Sequence, residues 1–215
     1  ETAHLLWFGS LPNKDDLADT TRKMVESGVV PEEVFSVIKA FSASAPPMAA
    51  LRSAVSCLAL FDSDAEDSST DGNKRKAIRI TAQTATLVAA IARLRDGKQP
   101  IQPRSDLSYA GNFYYMLTGK EPNEVIERAL DVASILHADH EYNASTFAVR
   151  VTAATLADIY SAVTSGIGAL KGPLHGGANA NVMKLLLEIG DDSKVEETIH
   201  SMFAQKKKIP GFGHR

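Results

Sequence analysis

Apolar side chains recur along most of this chain at the three- and four-residue spacing that lays a stripe down one face of a helix. Val34, Val37, Ile38 and Phe41 follow Pro31-Glu32-Glu33, whose proline and acids suit a helix N-terminus. Met48 to Phe61 keeps the spacing through Leu51, Val55, Leu58 and Ala59. Lys74 to Arg95 is the longest periodic run, through Ile78, Thr81, Ala85, Val88, Ile91 and Ala92, and it ends at Gly97. Pro122 opens a further stripe of Val125, Ala129, Val132 and Leu136. Ala144 to Val163 reads as one helix rich in Ala, Ser and Thr, with Phe147, Val151, Leu156 and Ile159 between them. Small residues there let helix backbones approach closely, which fits a buried helix or a subunit interface. Asn181–Ile189 and Val195–Lys206 complete the helical set. Alternating runs bounded by turn signals are nearly absent, so the pattern predicts an all-α fold.

The linkers are short. Phe61 to Gly72, with its Asp and Ser cluster, reads as a solvated loop. Lys98 to Ser105, with Pro100 and Pro103, separates two helices. The one abrupt change is Lys171-Gly172-Pro173-Leu174-His175-Gly176-Gly177, a connector or hinge ahead of a helix near Ala178.

Composition narrows the functional classes. The 215 residues are 44% hydrophobic and 23% charged with a net charge of -3, which suits a packed core and excludes disorder. A sequence pI near 6.1 gives no basic footprint for nucleic acid. No apolar run approaches the roughly 18–20 residues of a membrane span. The single Cys57 precludes an internal disulfide framework and makes a reducing, cytoplasmic setting the default.

Candidate chemistry rests on histidines. His137 and His140 stand three apart and share a face if their helix persists that far. A zinc site of the HExxH kind would place them four apart and needs a third ligand, so the pair reads as a polar cluster at a helix end, binding an anion or satisfied by backbone, before it reads as a metal site. His175 lies in a glycine-rich bend just ahead of a helix, where backbone can approach a ligand closely. A helix N-terminus disfavours a cationic ring beside it, so His175 reads either as a donor to an oxygen gaining negative charge or as a loop histidine without chemistry. His214 repeats the theme in Pro210-Gly211-Phe212-Gly213-His214, downstream of Lys206-Lys207-Lys208. Those lysines read either as last-turn partners of a helix dipole or as a cationic lip for a phosphorylated ligand. Gly166 to Gly172 imitates a dinucleotide fingerprint but has one residue too many and follows a helix, not a strand.

Three separated segments, LHADHEYNASTF (Leu136 to Phe147), GALKGPLHGGAN (Gly168 to Asn179) and KIPGFGHR (Lys208 to Arg215), together resemble the citrate synthase family in its shorter prokaryotic form. The likeness extends to ETAHLLWFGSLP at the start and covers essentially the whole chain. It implies a large helical domain over residues 1–175, N-terminally incomplete, and the beginning of a smaller helical domain over 176–215. It implies a homodimer through large-domain helices, with oxaloacetate and acetyl-CoA as substrates and no resident cofactor. By the resemblance, His175 would hydrogen-bond the thioester oxygen of acetyl-CoA and His214 would polarise the oxaloacetate carbonyl. His140 would hold oxaloacetate, with His137 behind it. Lys208, Ile209, Pro210, Gly211 and Phe212 would recognise the adenine end of CoA.

The family's general base, an aspartate, and its carboxylate-binding arginines lie downstream of the GFGH motif, and no position here corresponds to them. The expectation is therefore a piece of a longer synthase, inactive alone. Two further readings stay open: a 2-methylcitrate synthase using propionyl-CoA, and a helical module that keeps the fold without the chemistry. Stoichiometric metal on elemental analysis would revive a metal-binding helical protein.

Overall fold

A computed structural model describes residues 1–42 and 44–213. It contains eleven α-helices and no strand among the described residues. They are α1 (Thr2–Phe8), α2 (Lys14–Glu26), α3 (Glu32–Lys39), α4 (Pro47–Leu58), α5 (Thr70–Arg95) and α6 (Tyr109–Thr118). After these come α7 (Glu124–His137), α8 (Ala144–Ala153), α9 (Ile159–Leu170), α10 (Gly177–Ile189) and α11 (Val195–Ala204). The chain divides into two compact units, Glu1–Ile167 and Gly168–Arg215.

In the first unit the 26-residue α5 is the axis, with α2, α3, α4 and α6 packed around it. Ala82, Ala85, Ala89 and Ala90 keep its surface thin enough for close helix contact, and Leu87 and Ile91 fill the gaps between neighbours. Val34, Phe35 and Ile38 of α3 and Ala54, Val55 and Leu58 of α4 complete that core, with Tyr160 and Ile167 of α9. Fully burying side chains of this size contributes about 1.5–3 kcal/mol each.

Most helix starts carry a residue whose oxygen meets the first free amides. Asn13 accepts from the Asp15 and Asp16 N–H groups, Ser69 from Gly72, Ser108 from Gly111, Asn123 from Ile126 and Asn143 from Thr146. Gly9, Gly119 and Gly190 close α1, α6 and α10 in the left-handed region.

Three differences from the periodic reading have physical causes. The run from Ala144 to Val163 is two helices: the chain breaks over residues 154–158, where Leu156 adopts φ 63° and the Asp158 carboxylate accepts the Ser161 amide to start α9. Phe61 to Gly72 is not simply solvated. The Asp62 side chain is covered although the residue is half-exposed, and the buried Lys76 ammonium donates to the carbonyls of Ala65 and Asp67 (2.9 and 2.7 Å). Helices α1, α2 and α6 are absent from the periodic reading: α1 is only seven residues long, α2 has few apolar residues among its charges, and α6 is built on Tyr, Gly and Asn.

The second unit consists of the end of α9 from Gly168, the bend after it, helices α10 and α11 joined by a short turn at Asp192–Lys194, and the segment after α11. Helix α11 ends at Ala204, so the three lysines lie beyond it rather than in its last turn. Lys206 takes the left-handed position (φ 55°), and the amides of Lys206 and Lys207 donate back to Phe203 and Met202, a Schellman closure without its usual glycine.

Candidate functional site

His175 sits in a bend whose hydrogen bonds are nearly all backbone. The Gly172 N–H donates to Ala169, His175 to Gly172, Gly176 to Leu170 and Gly177 to Gly172. The Ala178 N–H then donates to the His175 carbonyl as α10 begins. A Cβ on Gly176 would fall well inside contact distance of the Leu170 carbonyl oxygen, and one on Gly177 would meet the Gly172 oxygen at 3.3 Å. Close backbone approach therefore favours glycine here, and the bend places the half-buried His175 two residues ahead of a 13-residue helix.

The Lys208–Gly213 segment rests on the same helix. Gly211 has φ 87° and faces Val182 of α10, whose Cγ2 would lie 2.9 Å from any added Cβ. Val182 is five residues into α10, about 7 Å along its axis from the first residue. The Phe212 amide donates to the Ile209 carbonyl (3.3 Å), so Pro210 and Gly211 form a tight turn. Ile209 and Pro210 are half-buried, while Lys208, Gly211 and Phe212 are exposed. Helix α10 thus carries the His175 bend at its start and supports the Pro-Gly-Phe turn from its side. His214 lies outside the described residues.

His137 and His140 belong to the first unit. Helix α7 ends at His137, and the intervening Ala138 caps it, so the two histidines do not share a helical face. The His137 ring donates from Nδ1 to the Ala133 carbonyl at 2.7 Å, which ties it to its own helix. His140 follows in an exposed turn, and Glu141 behind it takes φ 51°. A non-glycine residue in that region is uncommon and marks a locally over-determined backbone. No group of three or more His, Cys, Asp or Glu side chains is arranged to hold a metal among the described residues.

Two further features of the first unit have no sequence signal. Tyr160, at the start of α9, donates to Asp62, which also pairs with Arg79 of α5. Burial alone would raise the Asp62 carboxyl, but hydrogen bonds from Tyr160, the Asp64 amide and Arg79 outweigh it and hold the group below its usual range. Burial first, and then the Asp62 carboxylate, push the Tyr160 phenol up. The second feature is an aromatic and cationic group beside His140: Tyr142 meets Phe147 edge-on, and Arg150 lies over Tyr142.

The all-helical fold has direct counterparts among known proteins. The family model for the citrate synthase C-terminal domain matches residues 1–215. Citrate synthase 2 of Bacillus subtilis is 50% identical over 216 residues, a match that takes in all of this chain and 58% of that protein. The 2-methylcitrate synthase of Mycobacterium tuberculosis is 43% identical over 215 residues, again all of this chain and 54% of that protein. A citrate synthase from Thermoplasma acidophilum, in ternary complex with carboxymethyl coenzyme A and oxaloacetate, superposes with a TM-score of 0.89 at 28% identity, over 99% of this chain and 56% of that one. The chain belongs to the citrate synthase family. It spans little more than half the length of these relatives.

Proposed function

We propose that this chain is part of a citrate synthase that condenses acetyl-CoA with oxaloacetate and hydrolyses the resulting thioester to citrate and CoA. The observation that carries this reading is the His175 bend: glycines favoured by close backbone approach, with a histidine two residues ahead of α10.

The chemistry needs such a group. A thioester α-proton is weakly acidic, so its removal requires stabilisation of the developing enolate oxygen while a base takes the proton. In this reading His175 donates a hydrogen bond to the thioester oxygen as the enol forms. His214 polarises the ketone of oxaloacetate, and the enol carbon attacks that carbonyl carbon. His140 holds oxaloacetate and His137, fixed to the Ala133 carbonyl, stands behind it. Lys208 to Phe212 take the adenine end of CoA, with the turn held against Val182. The base is an aspartate that the family carries downstream of the GFGH motif. The reaction needs no resident cofactor. Synthase activity belongs to the longer protein, and the 215-residue chain alone is inactive.

The protein acts as a cytoplasmic homodimer. Helix α7 has no buried residue, and Val125, Ile135 and Leu136 on it are exposed, as are Phe147 and Val151 of α8. These apolar faces suit a second copy of the chain.

The likeness to a 2-methylcitrate synthase supports a second reading with propionyl-CoA. The test is kcat/KM of the full-length protein for each thioester, with the product identified. Acetyl-CoA is expected to be preferred and to give citrate. An equal or higher kcat/KM for propionyl-CoA, giving 2-methylcitrate, overturns the choice.

A further inference from the structure

The turn that carries His140 is fixed at both ends. On one side α7 stops at His137, with the Ala138 amide donating to Ile135. On the other, Asn143 starts α8: its Oδ1 accepts the Thr146 amide (2.9 Å) and the Ser145 hydroxyl (2.6 Å). Between them Glu141 adopts φ 51°, a conformation that costs free energy in a residue with a Cβ and persists only where the surroundings impose it. The residue following that unusual backbone is Tyr142.

Tyr142 is 58% exposed and Phe147 56%, so burial alone does not fix the tyrosine ring. Two directional contacts do. The rings of Tyr142 and Phe147 lie 6.3 Å apart with a 60° interplanar angle, the edge-to-face arrangement that their quadrupoles favour. The Arg150 guanidinium lies 4.9 Å from the centre of the Tyr142 ring. Arg150 is two turns into α8 and makes no ion pair with a carboxylate among the described residues, so its charge faces the ring. Phe147 and Arg150 stand three residues apart on α8, and both reach back over the turn that precedes it.

We propose that Tyr142 and Arg150 are positioning residues for His140: the stack clamps the Glu141-Tyr142 backbone to α8 and thereby fixes the direction in which the His140 ring points. The proposal rests on the reading of His140 as the group that holds oxaloacetate. Loss of the clamp therefore weakens binding of the dicarboxylate and leaves the thioester site unchanged. An exposed cation–π contact of this kind changes a conformational population about three- to five-fold, which sets the size of the expected effect.

The experiment uses the full-length protein containing this chain, with Tyr142→Leu, Tyr142→Phe, Arg150→Gln and Arg150→Lys. Tyr142→Leu and Arg150→Gln are expected to raise the KM for oxaloacetate about three- to five-fold, with kcat and the KM for acetyl-CoA within about two-fold of wild type. Tyr142→Phe keeps the ring face and retains wild-type behaviour. Arg150→Lys falls between. In protein labelled at histidine, the His140 ring resonance, identified by its loss in His140→Ala, is expected to move in Arg150→Gln, a variant that leaves both aromatic rings in place. An unchanged resonance, with unchanged oxaloacetate KM and a lower Tm, overturns the proposal and makes the cluster a stability element. A changed oligomeric state with an unchanged resonance also overturns it, as an assembly contact. If His140→Ala leaves the oxaloacetate KM unaltered, the functional reading of His140 fails, and the resonance by itself decides the clamp.

Discussion

Asp62, Arg79 and Tyr160 bring together an extended residue after α4, the middle of α5 and the start of α9, with Asp62 and Tyr160 separated by 98 positions in sequence. Removing the charge from one side of such a pair leaves the other poorly satisfied. Asp62→Asn is expected to destabilise the folded chain by about 1–3 kcal/mol at neutral pH. The folded state holds the Asp62 carboxyl below its ordinary value, so the unfolded state binds the proton first as pH falls. The stability Asp62 contributes is therefore present above about pH 4 and is lost as pH drops through the lower folded value. Denaturant titrations from neutral to acid pH should show the wild-type protein losing more stability than Asp62→Asn. An equal loss in both removes Asp62 from the acid response. None of this was legible in the sequence, where Asp62 reads as one acid in a solvated cluster. His175 was legible, because a run of glycines around one histidine is a local signal of close backbone approach. The Tyr142–Arg150 contact was not, because an exposed aromatic eight residues before an arginine has no distinguishing period.

Among the elements, the small-residue stretch after Asn143 shows how far periodicity reaches. Its stripe is continuous, so it reads as one helix, yet the chain turns at Leu156 and folds α9 back against α8. The reason the stripe continues is that both helices present small residues to each other. Gly166 of α9 faces Val149 of α8, whose Cγ2 would lie 2.5 Å from an added Cβ. Thr152 donates to Ser165 across the same interface (2.9 Å). A branched side chain has little freedom to withdraw, so Gly166→Ala forces α8 and α9 apart. The expected cost is about 1–3 kcal/mol, read as a lower denaturation midpoint with an unchanged m-value. Wild-type stability in Gly166→Ala would mean that this crossing has slack. Proline marked the starts of α3 and α7 in the sequence, whereas α1, α2 and α6 carried no start that the periodic reading used. The break at Leu156 was not, because no glycine or proline marks it.

At the scale of the molecule, the chain supplies two compact units. One holds His137 and His140, and the other holds His175 and the Lys208–Gly213 segment. The motifs were readable at the level of family because three short segments occur in one order, although only His175, His140 and His137 among the proposed histidines fall within described residues. The apolar faces of α7 and α8 were visible as stripes, but a stripe does not say whether its cover comes from the same chain or from another. The central claim is that His175 stabilises the enol of acetyl-CoA in a condensation with oxaloacetate. Its most direct test is oxaloacetate-dependent release of free CoA from acetyl-CoA by the full-length protein and by His175→Ala. The account predicts release by the wild type and a fall in kcat of about a hundred-fold or more in the variant, with the fold retained by circular dichroism. No oxaloacetate-dependent release by the wild type, or equal kcat in the two proteins, would contradict it.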